Sequence, residues 1–161
     1  MNSILEIVNN IGIIAVTKKL HISCAESCTG GLISKYLTDL AGSSRFFDSS
    51  IVVYSNNSKI SLLNVNKETL SRYGAVSEAV VKEMSAGLLK IVKSSLVVSV
   101  SGIMGPSQDD TDKDVGSVWI CIMSDKTSKT YHAILSGTRM DNREEAAKIA
   151  IMNLYDFIKE L

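Results

Sequence analysis

The chain has 161 residues, the length of one ordinary domain, and its 45% hydrophobic and 21% charged content lies near the globular average. Seventeen basic and seventeen acidic side chains cancel, which leaves no electrostatic footprint of a nucleic-acid binder and points to a small molecule as ligand. The cysteines Cys24, Cys28 and Cys121 form neither a disulfide framework nor a zinc pattern, so no metal is expected and the setting reads as reducing and cytoplasmic.

Ile4, Ile7, Val8, Ile11 and Ile14 recur at helical spacing and predict a first amphipathic helix. Its apolar run is cut by Lys18, Lys19 and His21, far short of the roughly 20 residues a membrane span needs. His21 to Glu26 reads as a short strand, followed by the small-residue turn Ser27 to Gly31. Leu32, Ile33, Tyr36, Leu37 and Leu40 make a second helical face, stopped by Ala41-Gly42. Phe46 to Tyr54 is a strand candidate, then polar Ser55 to Ser58, then a short helix over Lys59 to Leu63. Val81, Met84, Leu88, Ile91 and Val92 mark another helix, with Ser77 as its cap. Leu96 to Val100, Val115 to Met123 and Thr130 to Leu135 read as three further strands, and Ala147 to Leu161 as a closing helix. No repeat or linker interrupts residues 1–161, so one domain is expected. Helices alternating with apolar strands predict a layered α/β/α domain, and the two adjacent final strands predict a mixed sheet.

Ligands in such sheets sit beyond the carboxyl ends of the strands. Three loops qualify there: Ser27 to Gly31, Ser55 to Lys59, and Ser101 to Pro106. Ser27 stands at a strand-to-helix turn, where following peptide N–H groups suit an oxyanion and Gly30 and Gly31 allow close approach. The bland alternative is that Ser27 or Thr29 caps the helix and the glycines only make the turn. Serine needs a base. His21 lies at the far end of its strand and His132 lies mid-strand, so a Ser-His-Asp arrangement is not supported. Lysine can act instead if its pKa falls from about 10.4. Lys59 is the best placed, against the default of a solvated surface lysine, and Tyr54 is a candidate to orient or relay the proton. Ser101, Gly102, Ile103 and Gly105 offer amides and hydroxyls to an anion, or merely a tight connection. Arg139 offers a planar fork suited to phosphate, whereas Arg143 reads equally well as a surface charge paired with Glu144.

Six segments in order resemble the CinA C-terminal-domain family: AESCTGG at Ala25 to Gly31, LAGSSRFF at Leu40 to Phe47, VVYSNNSK at Val52 to Lys59, YGAVSE at Tyr73 to Glu78, VSVSGIMGP at Val98 to Pro106 and VGSVW at Val115 to Trp119. The resemblance implies hydrolysis of nicotinamide mononucleotide to nicotinic acid mononucleotide and ammonia, with no metal or redox cofactor, by a homodimer or larger assembly. It implies Ser27 as nucleophile, with Tyr54 and Lys59 activating it. Amides of Thr29, Gly30 and Gly31 are the expected oxyanion donors, and Ser101 to Gly105 with Arg139 the expected nucleotide contacts.

The chain departs from the family pattern at Met104, at Gln108 to Asp110, at Lys113-Asp114 and at Thr138. These positions touch the expected substrate pocket. Two alternatives to the serine amidohydrolase stand beside it: Cys28 as nucleophile, and a catalytically silent nucleotide-binding or interaction module of the same fold.

Overall fold

The computed structural model describes residues 3–108 and 111–161. Helix α1 (Ile4–Lys18) opens at a reciprocal capping box between Ser3 and Glu6. Strand β1 (Ile22–Glu26) is buried along its whole length, as an interior strand of a sheet covered on both faces must be. Helix α2 (Leu32–Thr38) and a 3-10 turn at Ser43–Arg45 lead into β2 (Phe47–Val52). Helices α3 (Asn56–Leu63), α4 (Lys67–Tyr73) and α5 (Glu78–Ile91) follow, and then β3 (Leu96–Gly102), β4 (Ser117–Ser124), β5 (Ser128–Ile134) and α6 (Arg139–Glu160).

The five strands run in the order β2-β1-β3-β4-β5. Strand β1 pairs in parallel with both β2 and β3, while β4 pairs antiparallel with β3 and β5. Alternation along each strand sends side chains to two cores. Cys24, Val98 and Ile120 pack with α1, α2 and α6; Ala25, Val97 and Cys121 pack with α5, alongside Leu63 and Leu70. The expected α/β/α arrangement with a mixed sheet is therefore the one observed.

Two helices begin earlier than expected and one was not expected, while the strand ends shift by one or two residues. The third helix begins at Asn56, three residues before Lys59, because the Ser55 hydroxyl accepts from the Ser58 N–H and caps it. Helix α4 carries one fully apolar anchor, Leu70, and too little periodicity to register in sequence; the Asn66 cap and the packing of Leu70 make it. The last helix starts eight residues before its apolar stripe, at a capping box formed by Thr138 and Asp141. Thr138, a departure from the family pattern, thus serves as that helix's N-cap. Of the departures at Gln108 to Asp110, residues 109 and 110 lie outside the described residues. No helix among the described residues is long and apolar enough to cross a membrane.

Helices α3 and α5 meet where Gly87 lies against the end of α3. A Cβ there would stand 1.9 Å from the Leu63 carbonyl oxygen, which is backbone and cannot swing aside. Gly87→Ala should therefore destabilise the fold by about 3 kcal/mol through overpacking, read as a lowered denaturant midpoint. An unchanged midpoint would show that α3 moves freely against α5.

Candidate active site

The parallel strands β1 and β2 end side by side, and the chain leaves each of them into a loop at the same edge of the sheet. Ser27 follows β1 and is 7% exposed, with its N–H donating to Val100 O at 3.1 Å. Val53 and Tyr54 follow β2, and the turn into α3 brings Lys59 back beneath them. Lys59 is 1% exposed. Its Nζ lies 2.9 Å from Ser27 Oγ, 3.0 Å from Val53 O and 3.1 Å from Tyr54 O.

This geometry decides what the amine can do. In the neutral form its two N–H groups go to the two carbonyls, and the lone pair faces the serine hydroxyl. Burial favours that form by penalising the charge, lowering the Lys59 pKa from 10.5 to about 8. The default of a solvated surface lysine does not describe Lys59. Cys28 has the opposite fate: burial pushes its thiol up to about 12, which keeps it protonated and a poor nucleophile. His132 bonds Ser117 Oγ at 2.9 Å and stacks on Trp119, and His21 precedes the start of β1. Neither is bonded to Ser27.

Tyr54 is placed differently from the expectation that its phenol activates the serine. The side chain is 59% exposed, and its hydroxyl accepts from Arg139 Nη2 at 2.8 Å. What Tyr54 gives Lys59 is its backbone carbonyl. Two of the three expected oxyanion donors are committed elsewhere. Gly30 N–H donates to Ser27 O at 3.1 Å and Gly31 N–H to Glu26 Oε2 at 2.9 Å, so both are spent inside the turn. Thr29 is fully buried with its hydroxyl on Glu26, and its N–H, unlike those of the two glycines, donates to no acceptor among the described residues.

That cavity has a volume of about 400 Å³ and is bounded by Ser27, Cys28, Lys59, the β3–β4 connection and the α4–α5 connection. Ser101, Gly102, Ile103, Gly105 and Arg139 all line it, and so do Tyr54 and Lys113. Arg139 Nη1 also donates to Gly105 O at 2.7 Å, which ties the rim of α6 to the β3–β4 loop. Met104 is buried and packs with the α1–α6 core, where a Cβ on Gly102 would meet its methyl at 2.5 Å. Lys113 closes the far wall by donating to Val76 O at 2.5 Å and to Tyr73 O. Among the described residues no group of three or more His, Cys, Asp or Glu is placed to hold a metal.

Two residues that matter to the site were given no role in it by sequence. Glu26, fully buried, accepts from Thr29 Oγ1 and from the N–H groups of Gly31, Ile33 and Ser34, so one carboxylate caps α2 and fixes the turn after Ser27. A glutamate closing a buried strand and followed at once by a small-residue turn is the signal that could have found it. Arg143 is not a free surface charge: its guanidinium binds the carbonyls of Cys28 and Thr29, both at 3.1 Å.

A mixed sheet between two helical layers, with a buried serine–lysine pair at the carboxyl ends of its parallel strands, defines the class of protein. A profile of the CinA C-terminal domain matches residues 5–158, and the chain belongs to that family. It is 46% identical over 151 residues to the nicotinamide-nucleotide amidohydrolase PncC of Enterobacter agglomerans, covering 92% of each chain. It is 37% identical to the protein of that name from Escherichia coli strain K12, covering 96% of this chain and 94% of the other. A CinA-like protein of Petrotoga mobilis is 44% identical over 139 residues, 86% of this chain, which spans about a third (34%) of that protein's length. A CinA superfamily crystal structure from Klebsiella pneumoniae superposes with a TM-score of 0.95 at 27% identity, covering 99% of this chain and 100% of that one. A competence or damage-inducible protein from Enterobacter asburiae gives 0.95 at 30% identity, covering 98% and 99%.

Glu26→Ala should cost about 3 kcal/mol or more, because it strands buried donors that have no other acceptor. Glu26→Gln should cost less, since one acceptor oxygen remains. Equal melting of both variants and the unaltered protein would remove Glu26 from this role.

Proposed function

We propose that this chain hydrolyses the carboxamide of nicotinamide mononucleotide to nicotinic acid mononucleotide and ammonia, with Ser27 as nucleophile and Lys59 as its base. The observation that carries the reading is Lys59 Nζ held 2.9 Å from Ser27 Oγ by two backbone carbonyls, in a place buried enough to favour the neutral amine. The relatives named nicotinamide-nucleotide amidohydrolase supply the substrate class.

In the first half of the reaction the Ser27 oxygen attacks the carboxamide carbon while its proton passes to Lys59. The tetrahedral intermediate collapses, the C–N bond breaks, and Lys59 returns the proton to the leaving nitrogen, which departs as ammonia. Water, deprotonated by Lys59, then cleaves the acyl ester and regenerates the serine. The balance requires only water. The N–H groups of Cys28 and Thr29 have no acceptor on another of the described residues, and they replace Gly30 and Gly31 as donors to the oxyanion. Arg139, at the rim with Tyr54, takes the phosphate; Ser101 to Gly105 line the path between rim and serine. The three cysteines are buried and unpaired, which suits a reducing compartment such as the cytoplasm.

Ammonia release from nicotinamide mononucleotide by the purified protein should vanish in Ser27→Ala and fall by about 10³-fold or more in Lys59→Met. Binding without any release by the unaltered protein would favour the silent module. The rate should rise with pH through about 8, as the lysine sheds its proton and becomes a base, and level off above that. A rate independent of pH between 6 and 9 would exclude Lys59 as the base. Arg139→Ala should raise KM for the nucleotide far more than for its nucleoside, and an equal rise for both would take Arg139 out of the phosphate site.

A further inference from the structure

We propose that Arg143 is a positioning residue for the chemistry at Ser27, holding the peptide planes after the nucleophile so that the amides beside it face the reacting group. The inference rests on the reading of Ser27 as a nucleophile and adds to it what keeps the oxyanion site formed.

Arg143 lies in the second turn of α6, on a different element from the nucleophile. Its Nε donates to Cys28 O and its Nη2 to Thr29 O, each at 3.1 Å. A peptide unit is planar and trans, so fixing a carbonyl also fixes the following N–H in the opposite direction. Holding Cys28 O therefore directs the Thr29 N–H away from the guanidinium. Holding Thr29 O likewise directs the Gly30 N–H, which closes the turn on Ser27 O at 3.1 Å. The N–H groups of Cys28 and Thr29, on residues 5% and 0% exposed, donate to no acceptor on another of the described residues. Buried backbone donors without acceptors are rare, and two in succession directly after a nucleophile mark a place that expects an anion.

The surroundings are built for this contact. A Cβ on Gly30 would stand 3.1 Å from Arg143 Nη2, a tight approach at a position whose φ of 58° already favours glycine. The residue before Arg143 performs the same service for the neighbouring loop, since Asn142 Nδ2 donates to Met104 O at 3.2 Å. On the other side of the turn, Glu26 takes the Gly31 N–H. Carbonyls are gripped from α6 and amides from β1, which leaves the Cys28 and Thr29 donors as the part not committed. Without Arg143 the 28–29 peptide is free to turn over. That motion would set a carbonyl oxygen where the developing negative charge needs a donor.

The test uses the reactivity of Ser27 itself, so that it does not depend on the substrate. A fluorophosphonate forms an Oγ–P bond with an activated serine and expels fluoride, and its phosphoryl oxygen needs the same donors as a tetrahedral oxyanion. Labelling of Ser27 in the full chain is followed by mass spectrometry from pH 6 to 10, for the unaltered protein, Arg143→Met and Arg143→Lys. Arg143→Met should lower the high-pH plateau by about 10²-fold while the midpoint near 8 stays, because the surroundings of Lys59 are untouched. Arg143→Lys, which keeps one donor, should fall between. A plateau within about threefold of the unaltered protein in Arg143→Met overturns the inference; so does a midpoint that moves up with the plateau preserved, or an unaltered protein that is not labelled. If labelling behaves as expected but no ammonia is released from nicotinamide mononucleotide, the substrate assignment fails and the role of Arg143 stands.

Discussion

A primary amine buried against two backbone carbonyls and one hydroxyl is the interaction on which the rest of this site depends. Removing an ammonium from water is costly unless each of its protons is matched. Here the matching is done by Val53 O, Tyr54 O and Ser27 Oγ. The first two are carbonyls just past the end of β2, where the chain has left the sheet ladder, and the third follows the end of β1. The parallel pairing of β1 with β2 is thus what brings a base and a nucleophile together across a separation of 32 residues. Had the two strands been antiparallel neighbours, their ends would lie on opposite edges of the sheet.

A nucleophile held so closely also needs a turn that does not move. Side chains lock it from opposite directions. The Glu26 carboxylate accepts the donors at the start of α2, and the Arg143 guanidinium binds the carbonyls that follow Ser27. The first two turns of α6 do this for several loops at once, with Arg139 on Gly105 O, Asn142 on Met104 O and Arg143 on the Ser27 turn. That helix is long, capped at Thr138 and packed into the core through Ala146, Ala147 and Ala150, so it is a rigid support.

Much of the fold was legible in the sequence because helices and strands bury apolar residues at different periods. The stripe from Ile4 to Ile14 and the apolar run from Leu96 to Val100 are visible in composition alone. Helix α4 was not, since its existence depends on one buried leucine and a cap. Within the site, Ser27 and Lys59 stood out by residue type and loop position, but their contact is a product of strand order, which spacing along the chain does not contain. Tyr54 shows the limit of reading a motif: the residue is where it was expected, yet its carbonyl meets the lysine and its phenol meets Arg139. Thr29, Gly30 and Gly31 were read as donors because they follow a nucleophile, and the hydrogen bonds that spend the two glycine amides are visible only in three dimensions. Arg143 looked like a surface charge because its partners are backbone carbonyls, which leave no mark on sequence.

The measurement that tests the central claim most directly is the titration of the Lys59 amine, followed by nitrogen-15 NMR of the side-chain resonance in lysine-labelled protein, with Lys59→Met to assign it. With its charge penalised by burial the amine should titrate near 8, which leaves about a tenth of it neutral at pH 7 and able to accept the Ser27 proton, against well under a hundredth for an ordinary lysine. A midpoint at the ordinary lysine value of about 10.4 would contradict it, because Lys59 would then be a permanent cation and Ser27 would be left without a base.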